Sequence, residues 1–256
     1  MRVTRFQPTD AVVWPRPDSS TIALVEDVES LDEVLALLVD LRAELAPARV
    51  LVTLDDVAQC TYTSGHAGED ERLSPPLDDI DWDDPTAVAE REEATVQFIS
   101  TQLDRPEFAA EWASLSAVRG LDPREVEALV HLNRDLDEVL DDTVIVQRVP
   151  VARDDLVIAG MPNGYFTSDW NTFQNHAIVR RLARHGYRHF GIGASFLGFD
   201  RPAPPAESDV DALVADLVEL YGAPTSRYWA ELRSILRTHR VLLLGYTEDF
   251  ATQVLD

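Results

Sequence analysis

Residues 21–54 read TIALVEDVESLDEVLALLVDLRAELAPARVLVTL. The two ends, 21–25 (TIALV) and 49–54 (RVLVTL), are short runs of β-branched and aliphatic residues, which predict strands. Between them, Ser30 to Leu45 spaces its apolar residues as an amphipathic helix does. Ser30 stands at the N-cap, Glu33 follows three residues later as a capping box requires, and Pro47 closes the element. A strand–helix–strand unit of this kind implies an α/β or α+β protein, with mixed sheets and packed helices.

Outward from that unit the chain changes character. Gly65 to Glu93 contains Pro75, Pro76 and Pro85, two glycines and eleven acids, among them the DDIDWDD run at 78–84. The first part of this stretch reads as an exposed acidic loop or linker, with Ile80 and Trp82 left to dock on a partner or fold back. Three helical spacings follow: Thr86 to Leu103, Pro106 to Val118 and Pro123 to Leu140. Pro106 and Pro123 fit first-turn positions and Gly120 fits a stop. Strands are expected at 143–151, 156–161 and 165–167, the last two joined by the turn signal Pro162-Asn163-Gly164. A helix at 172–185, a strand at 188–194, helices at 209–221 and 226–238 and a strand at 241–246 complete the reading. The organisation expected is an N-terminal module over 1–64, an acidic linker over 65–93, a helical segment over 94–141 and a larger mixed module over 142–256.

Composition limits the function classes. The chain has 256 residues, 22 basic against 46 acidic, and a formal charge of −24. Every basic residue is arginine, which reads as the codon bias of a high-GC bacterium, with adaptation to salt as the alternative. Direct nucleic-acid binding is disfavoured, because phosphate affinity needs clustered cations and most of this surface would repel DNA. No apolar run reaches the eighteen residues of a membrane span, and the first residues lack the apolar core of a signal peptide. Cys60 is the only cysteine, so no intrachain disulfide forms and a cytoplasmic location is expected.

Against that background, Gly160 to Arg201 is a positive island. It holds five arginines against two acids, Asp169 and Asp200, together with six of the eleven glycines and three of the six histidines. On a helical wheel for 172–185, Ile178, Val179, Leu182 and Ala183 share one side, and His176, Arg180 and Arg184 form a ladder along an edge of the other. Guanidinium forks match carboxylate and phosphate geometry. The helix start near Asp169–Thr172 would add backbone donors. The candidate ligand-binding residues are Asp169, Asn171, Asn175, His176, Arg180 and Arg184. Asn175 falls among the apolar positions, where an amide must be hydrogen-bonded; it either holds the preceding loop or orients a ligand. Ser168 or Asp169 is the expected N-cap, and Asp169 with His176 is the one pairing that would offer acid–base chemistry.

Several sharper motifs fail. His176, His185 and His189 are not a metal set, because Gly186 separates the last two and the flanking arginines would repel a cation. No cofactor is expected: Gly191-Ile-Gly193 lacks the third glycine of a dinucleotide loop, with Phe196 in its place. Gly193-Ala-Ser195-Phe-Leu197 likewise lacks the closing glycine of a nucleophile elbow. The aromatics Tyr165, Phe166, Trp170, Phe173, Phe190, Phe196 and Phe199 are expected in the core.

The stretch WNTFQNHAIVRRLARHGYRHFGIG, followed by a strand, FDRPAPP and DVDALVADLVELYG, resembles the C-terminal part of a bacterial domain of unknown function, family 4253. Trp170, Asn171, His176, Arg180, Pro204 and Pro205 carry the resemblance, which covers about the last ninety residues. The chain departs from it at the end, where VLLLGYTED replaces a tryptophan-rich strand. The resemblance implies a fold module and no reaction. Three functional readings therefore stand beside plain charge balance of arginines by surface acids. The first is a non-catalytic protein that binds an anionic small molecule or an acidic protein segment. The second is an enzyme on a phosphorylated or carboxylated small molecule, with His176 as acid–base. The third is an acidic regulator that mimics nucleic acid through residues 69–93.

Overall fold

The computed structural model describes residues 1–76, 80–119 and 122–256. Part of the acidic run (Asp78, Asp79) and the expected stop Gly120 lie outside them. The predicted N-terminal unit forms as β2 (Thr21–Glu26), α1 (Leu31–Leu45) and β3 (Arg49–Thr53), preceded by a short strand β1 (Arg2–Arg5). Ser30 Oγ accepts the Glu33 amide at 3.4 Å, while the Glu33 carboxylate reaches the Glu29 amide, one residue short of a closed capping box. Val34, Leu35, Leu38 and Leu41 are buried. Each such side chain contributes about 1.5–3 kcal/mol by leaving water.

α2 (Val57–Ala67) follows β3 directly. The two ends of the acidic stretch belong to α2 and to α3 (Pro85–Leu103), whose Glu92 accepts from Ser19 and whose Glu93 pairs with Arg148. The helix expected over 106–118 is broken. Pro106–Phe108 and Trp112–Ser114 are single 3₁₀ turns, and only α4 (Ser116–Arg119) is α-helical. Next, α5 (Arg124–Arg134) is shorter than the spacing predicts, because Asp135 leaves helical geometry and Leu136–Val139 tightens to 3₁₀.

β4 (Thr143–Val149) is followed by the 3₁₀ segment Asp154–Gly160 and not by the expected strand at 156–161. Leu156 to Ala159 are all buried, and an all-apolar run carries no period to separate the two forms. Residues 165–167 are likewise loop and not strand. The rest comprises α6 (Thr172–Ala183), β5 (Arg188–Ile192), β6 (Phe196–Asp200), α7 (Glu207–Tyr221), α8 (Tyr228–Leu236), β7 (Val241–Gly245) and α9 (Phe250–Leu255).

The seven strands make one mixed sheet in the order β1-β2-β4-β3-β5-β6-β7. Only β3 and β5 run parallel; every other pairing is antiparallel. β4 lies between β2 and β3, so strands on both sides of the expected module boundaries share the sheet. The strands β6 and β7 are buried at every residue, and β4 and β5 at nearly every one. They are covered on both faces and read as apolar runs without alternation.

The two edges are treated differently. β1 is exposed throughout and carries Arg2 and Arg5, paired with Glu26 and Glu44. β7 is closed by α5. Asn133, fully buried, donates from Nδ2 to the Leu243 carbonyl (2.9 Å) and accepts the Leu243 amide at Oδ1 (2.8 Å), so one side chain occupies the bonds a further strand would take.

A candidate anion site on helix α6

Asn171, not Ser168 or Asp169, caps α6. Its Oδ1 accepts the amides of Phe173 (3.0 Å) and Gln174 (3.1 Å), and Gln174 Oε1 accepts the Asn171 amide (2.8 Å), a reciprocal capping box. Asp169 sits before the cap, buried, and accepts the Glu248 amide at 3.2 Å. Asn175 is fully buried. Its Nδ2 donates to the carbonyls of Trp170 (2.8 Å) and Asn163 (3.4 Å), and Thr172 donates to the same Asn163 carbonyl. Asn175 therefore ties the 163–171 loop to the helix. Gly164 makes the loop possible: its φ is +96°, and a Cβ there would lie 2.0 Å from the Trp170 carbonyl oxygen.

His176 is only 3% exposed. Its Nε2 lacks a hydrogen-bond partner and stands 3.9 Å from Asp155, a carboxylate already held by Arg153. Burial lowers the imidazole to about 4, partly offset by the Asp155 charge, so the ring is neutral at pH 7. Asp169 faces Glu248 and His176 faces Asp155, so the expected acid–base pair is not assembled. Asp169 and His176 border different pockets, and Asn175 borders neither of the two.

The ladder along the helix does come together. His176, Arg180 and Arg184 border one pocket of about 310 Å³, whose opposite wall is Ala109 to Trp112. Arg181 borders it too but is committed, with Nε and Nη2 at 2.6 and 2.5 Å from the two Asp216 oxygens, while His185 Nε2 stands 2.6 Å from the same carboxylate. Burial would raise Asp216, but these two partners hold it below the usual carboxylate range. Arg180 and Arg184 are exposed, and among the described residues neither guanidinium has a hydrogen-bond or ion-pair partner. Trp112, on which Arg181 stacks at 5.3 Å, also leaves its buried indole N–H unpartnered. Glu111 is the one carboxylate in the lining.

Elsewhere the arginines are largely used up by acids. Arg42 and Arg188 share Asp200, Arg153 bridges Asp104 and Asp155, and Arg49 holds Asp154. His189 is buried against Phe199, its Nδ1 at 3.2 Å from the Gly198 carbonyl, and burial lowers it to about 4. Among the described residues no group of three or more His, Cys, Asp or Glu side chains is arranged to hold a metal ion, and no helix is long and apolar enough to cross a membrane.

Trp112 is the site residue that sequence reasoning missed. It reaches the pocket from a segment that reads as the middle of a helix, and no local period links it to α6. Tyr165 and Phe166 correct another expectation: they are exposed at the surface, whereas Trp170, Phe173, Phe190, Phe196 and Phe199 are in the core. Comparison with protein-family models, with curated proteins and with solved structures finds no match, so the geometry of the site carries the functional reading.

Proposed function

We propose that this protein is a non-catalytic binding protein whose α6 pocket accepts an anionic group, a carboxylate or phosphate carried by a small molecule or by an acidic protein segment. The carrying observation is the pair of unpartnered guanidinium groups of Arg180 and Arg184, one helical turn apart on one pocket wall, in a chain with more than twice as many acids as bases. Most described arginines meet a carboxylate; Arg180 and Arg184 do not, and unlike Arg16, Arg91 and Arg227 they have no other hydrogen-bond acceptor either. Two on one wall offer paired forks to a carboxylate or phosphate. His176 contributes a neutral wall, since a proton there is opposed by burial. That sealed, neutral ring favours binding over acid–base chemistry.

The test is a thermal-shift titration with nucleotides, sugar phosphates, di- and tricarboxylates and an acidic peptide. A ligand at a hundredfold its dissociation constant stabilises the fold by roughly 2.7 kcal/mol, which raises the melting temperature by a few degrees. The shift is expected to vanish in a folded Arg180→Ala/Arg184→Ala variant. An undiminished shift in that variant rejects the site.

A further inference from the structure

The α6 pocket also holds a charge of the opposite sign. Glu111 borders it from the wall formed by Ala109 to Trp112. The Glu111 side chain is exposed and, among the described residues, meets no hydrogen-bond donor and no cation. Arg180 and Arg184 border the same pocket and are equally unpartnered, yet no ion pair closes between them and Glu111. The backbone of the wall accounts for the gap. Ala109 and Glu111 are extended, between the 3₁₀ turns Pro106–Phe108 and Trp112–Ser114. That stretch is pinned at both ends: Phe108 packs on Phe173 at 5.4 Å, and the Arg181 guanidinium covers Trp112 at 5.3 Å.

The charges in the lining specify a ligand. Arg181 is neutralised by Asp216, and the His176 ring is neutral at pH 7. Two positive charges and one negative charge therefore remain unmatched in a pocket of about 310 Å³. A plain dianion satisfies the two arginines but is repelled by Glu111. A ligand with two acidic groups and one ammonium meets all three, and its single net negative charge matches the single net positive charge of the lining. Phe173, Ala177, Ala109 and Ala110 supply apolar lining for a short carbon chain. The volume is at the small end of the range of ligand sites.

We infer that the α6 pocket selects an amine-bearing dianion, the class of the free acidic amino acids, with its acidic groups on Arg180 and Arg184 and its ammonium on Glu111. The inference rests on the anion reading of this pocket and narrows it. The carboxylates inside a protein segment come without an ammonium, so a small molecule fits where a chain segment does not.

The experiment titrates the full chain by calorimetry near pH 7 with glutamate, N-acetylglutamate, glutarate and 4-aminobutanoate. Saturable binding of glutamate in the millimolar range or tighter is expected. N-acetylglutamate and glutarate, which lack the ammonium, and 4-aminobutanoate, which lacks one carboxylate, bind about fivefold more weakly. Glu111→Gln lowers glutamate affinity about fivefold and leaves glutarate unchanged or tighter, so the preference for the amine disappears. The Glu111 side chain makes no hydrogen bond in the fold, so this variant reports even if Arg180→Ala/Arg184→Ala fails to fold. The inference is overturned if glutarate or N-acetylglutamate binds as tightly as glutamate, or if Glu111→Gln keeps the wild-type ratio of glutamate to glutarate affinity. Where binding is still lost in the folded arginine variant, the anion site stands and the amine preference alone is rejected. Glutamate binding that survives in the arginine variant rejects both. No saturation by glutamate below roughly 10 mM rejects this inference alone, and nucleotides and sugar phosphates then decide the anion reading.

Discussion

Asp55 shows how far one side chain in this fold departs from its behaviour in water. It follows β3, where Oδ2 accepts the Ser195 amide at 3.0 Å and Oδ1 is sealed and unpartnered. The approach depends on Gly193, since a Cβ there would stand 1.7 Å from Oδ1. Burial raises the carboxyl from 3.8 to about 7. Between those values the folded protein holds a proton that the unfolded chain has released. Stability therefore falls as pH rises through this window, and the loss is complete above about 7. Asp55→Asn keeps an acceptor for Ser195 and removes the charge. Its stability is expected to match wild type near pH 4 and to exceed it increasingly up to pH 8, by on the order of 4 kcal/mol, which shows as a higher melting temperature. Melts of both proteins across that range check this; a constant difference refutes it.

Strands and helices differ in how plainly the chain announces them. The α1 helix declares itself through Ser30, its apolar period and Pro47. The α7 helix does so through the spacing of Val210, Leu213, Leu217 and Leu220. Segment 154–160 does not, because burial on every side erases the period. β6 hides among residues that read as glycine-rich packing, and β1 is too short and polar to stand out. The candidate site divides the same way. His176, Arg180 and Arg184 are legible as one ladder because a single helix spaces them. Trp112 comes from a distant segment, and the openness of Tyr165 and Phe166 is set by what packs around them. Helix α5 carries a further load that no pattern reveals, the closure of β7 by Asn133. Asn133→Ala leaves the Leu243 amide and carbonyl unpaired in the interior. At about 1–3 kcal/mol for each group, a loss of roughly 2–6 kcal/mol is expected. A denaturation midpoint within error of wild type would show that the edge is closed by other means.

Over the protein as a whole, charge is the dominant unbalanced quantity. With 46 acids against 22 arginines, many carboxylates have no cation to meet, and their mutual repulsion favours the unfolded chain. Salt screens that repulsion, and it screens the ion pairs as well, but the surplus of one sign outweighs the pairs. The melting temperature is therefore expected to rise by a few degrees between roughly 10 and 150 mM sodium chloride, where the Debye length falls from about 30 to 8 Å. A flat or falling curve would mean that the arginine pairs dominate.

The position of β4 in the sheet also sets a timetable for synthesis. A nascent chain that has reached residue 64 contains β2, α1 and β3 but not the strand that joins them, and the other neighbour of β3 arrives only with residues 188–192. Until then the apolar faces of α1 and β3 have no finished sheet to cover. The amino-terminal half must therefore leave the ribosome unfinished and wait for its carboxyl-terminal partners, a delay in which its many acids keep the waiting chain apart from its neighbours.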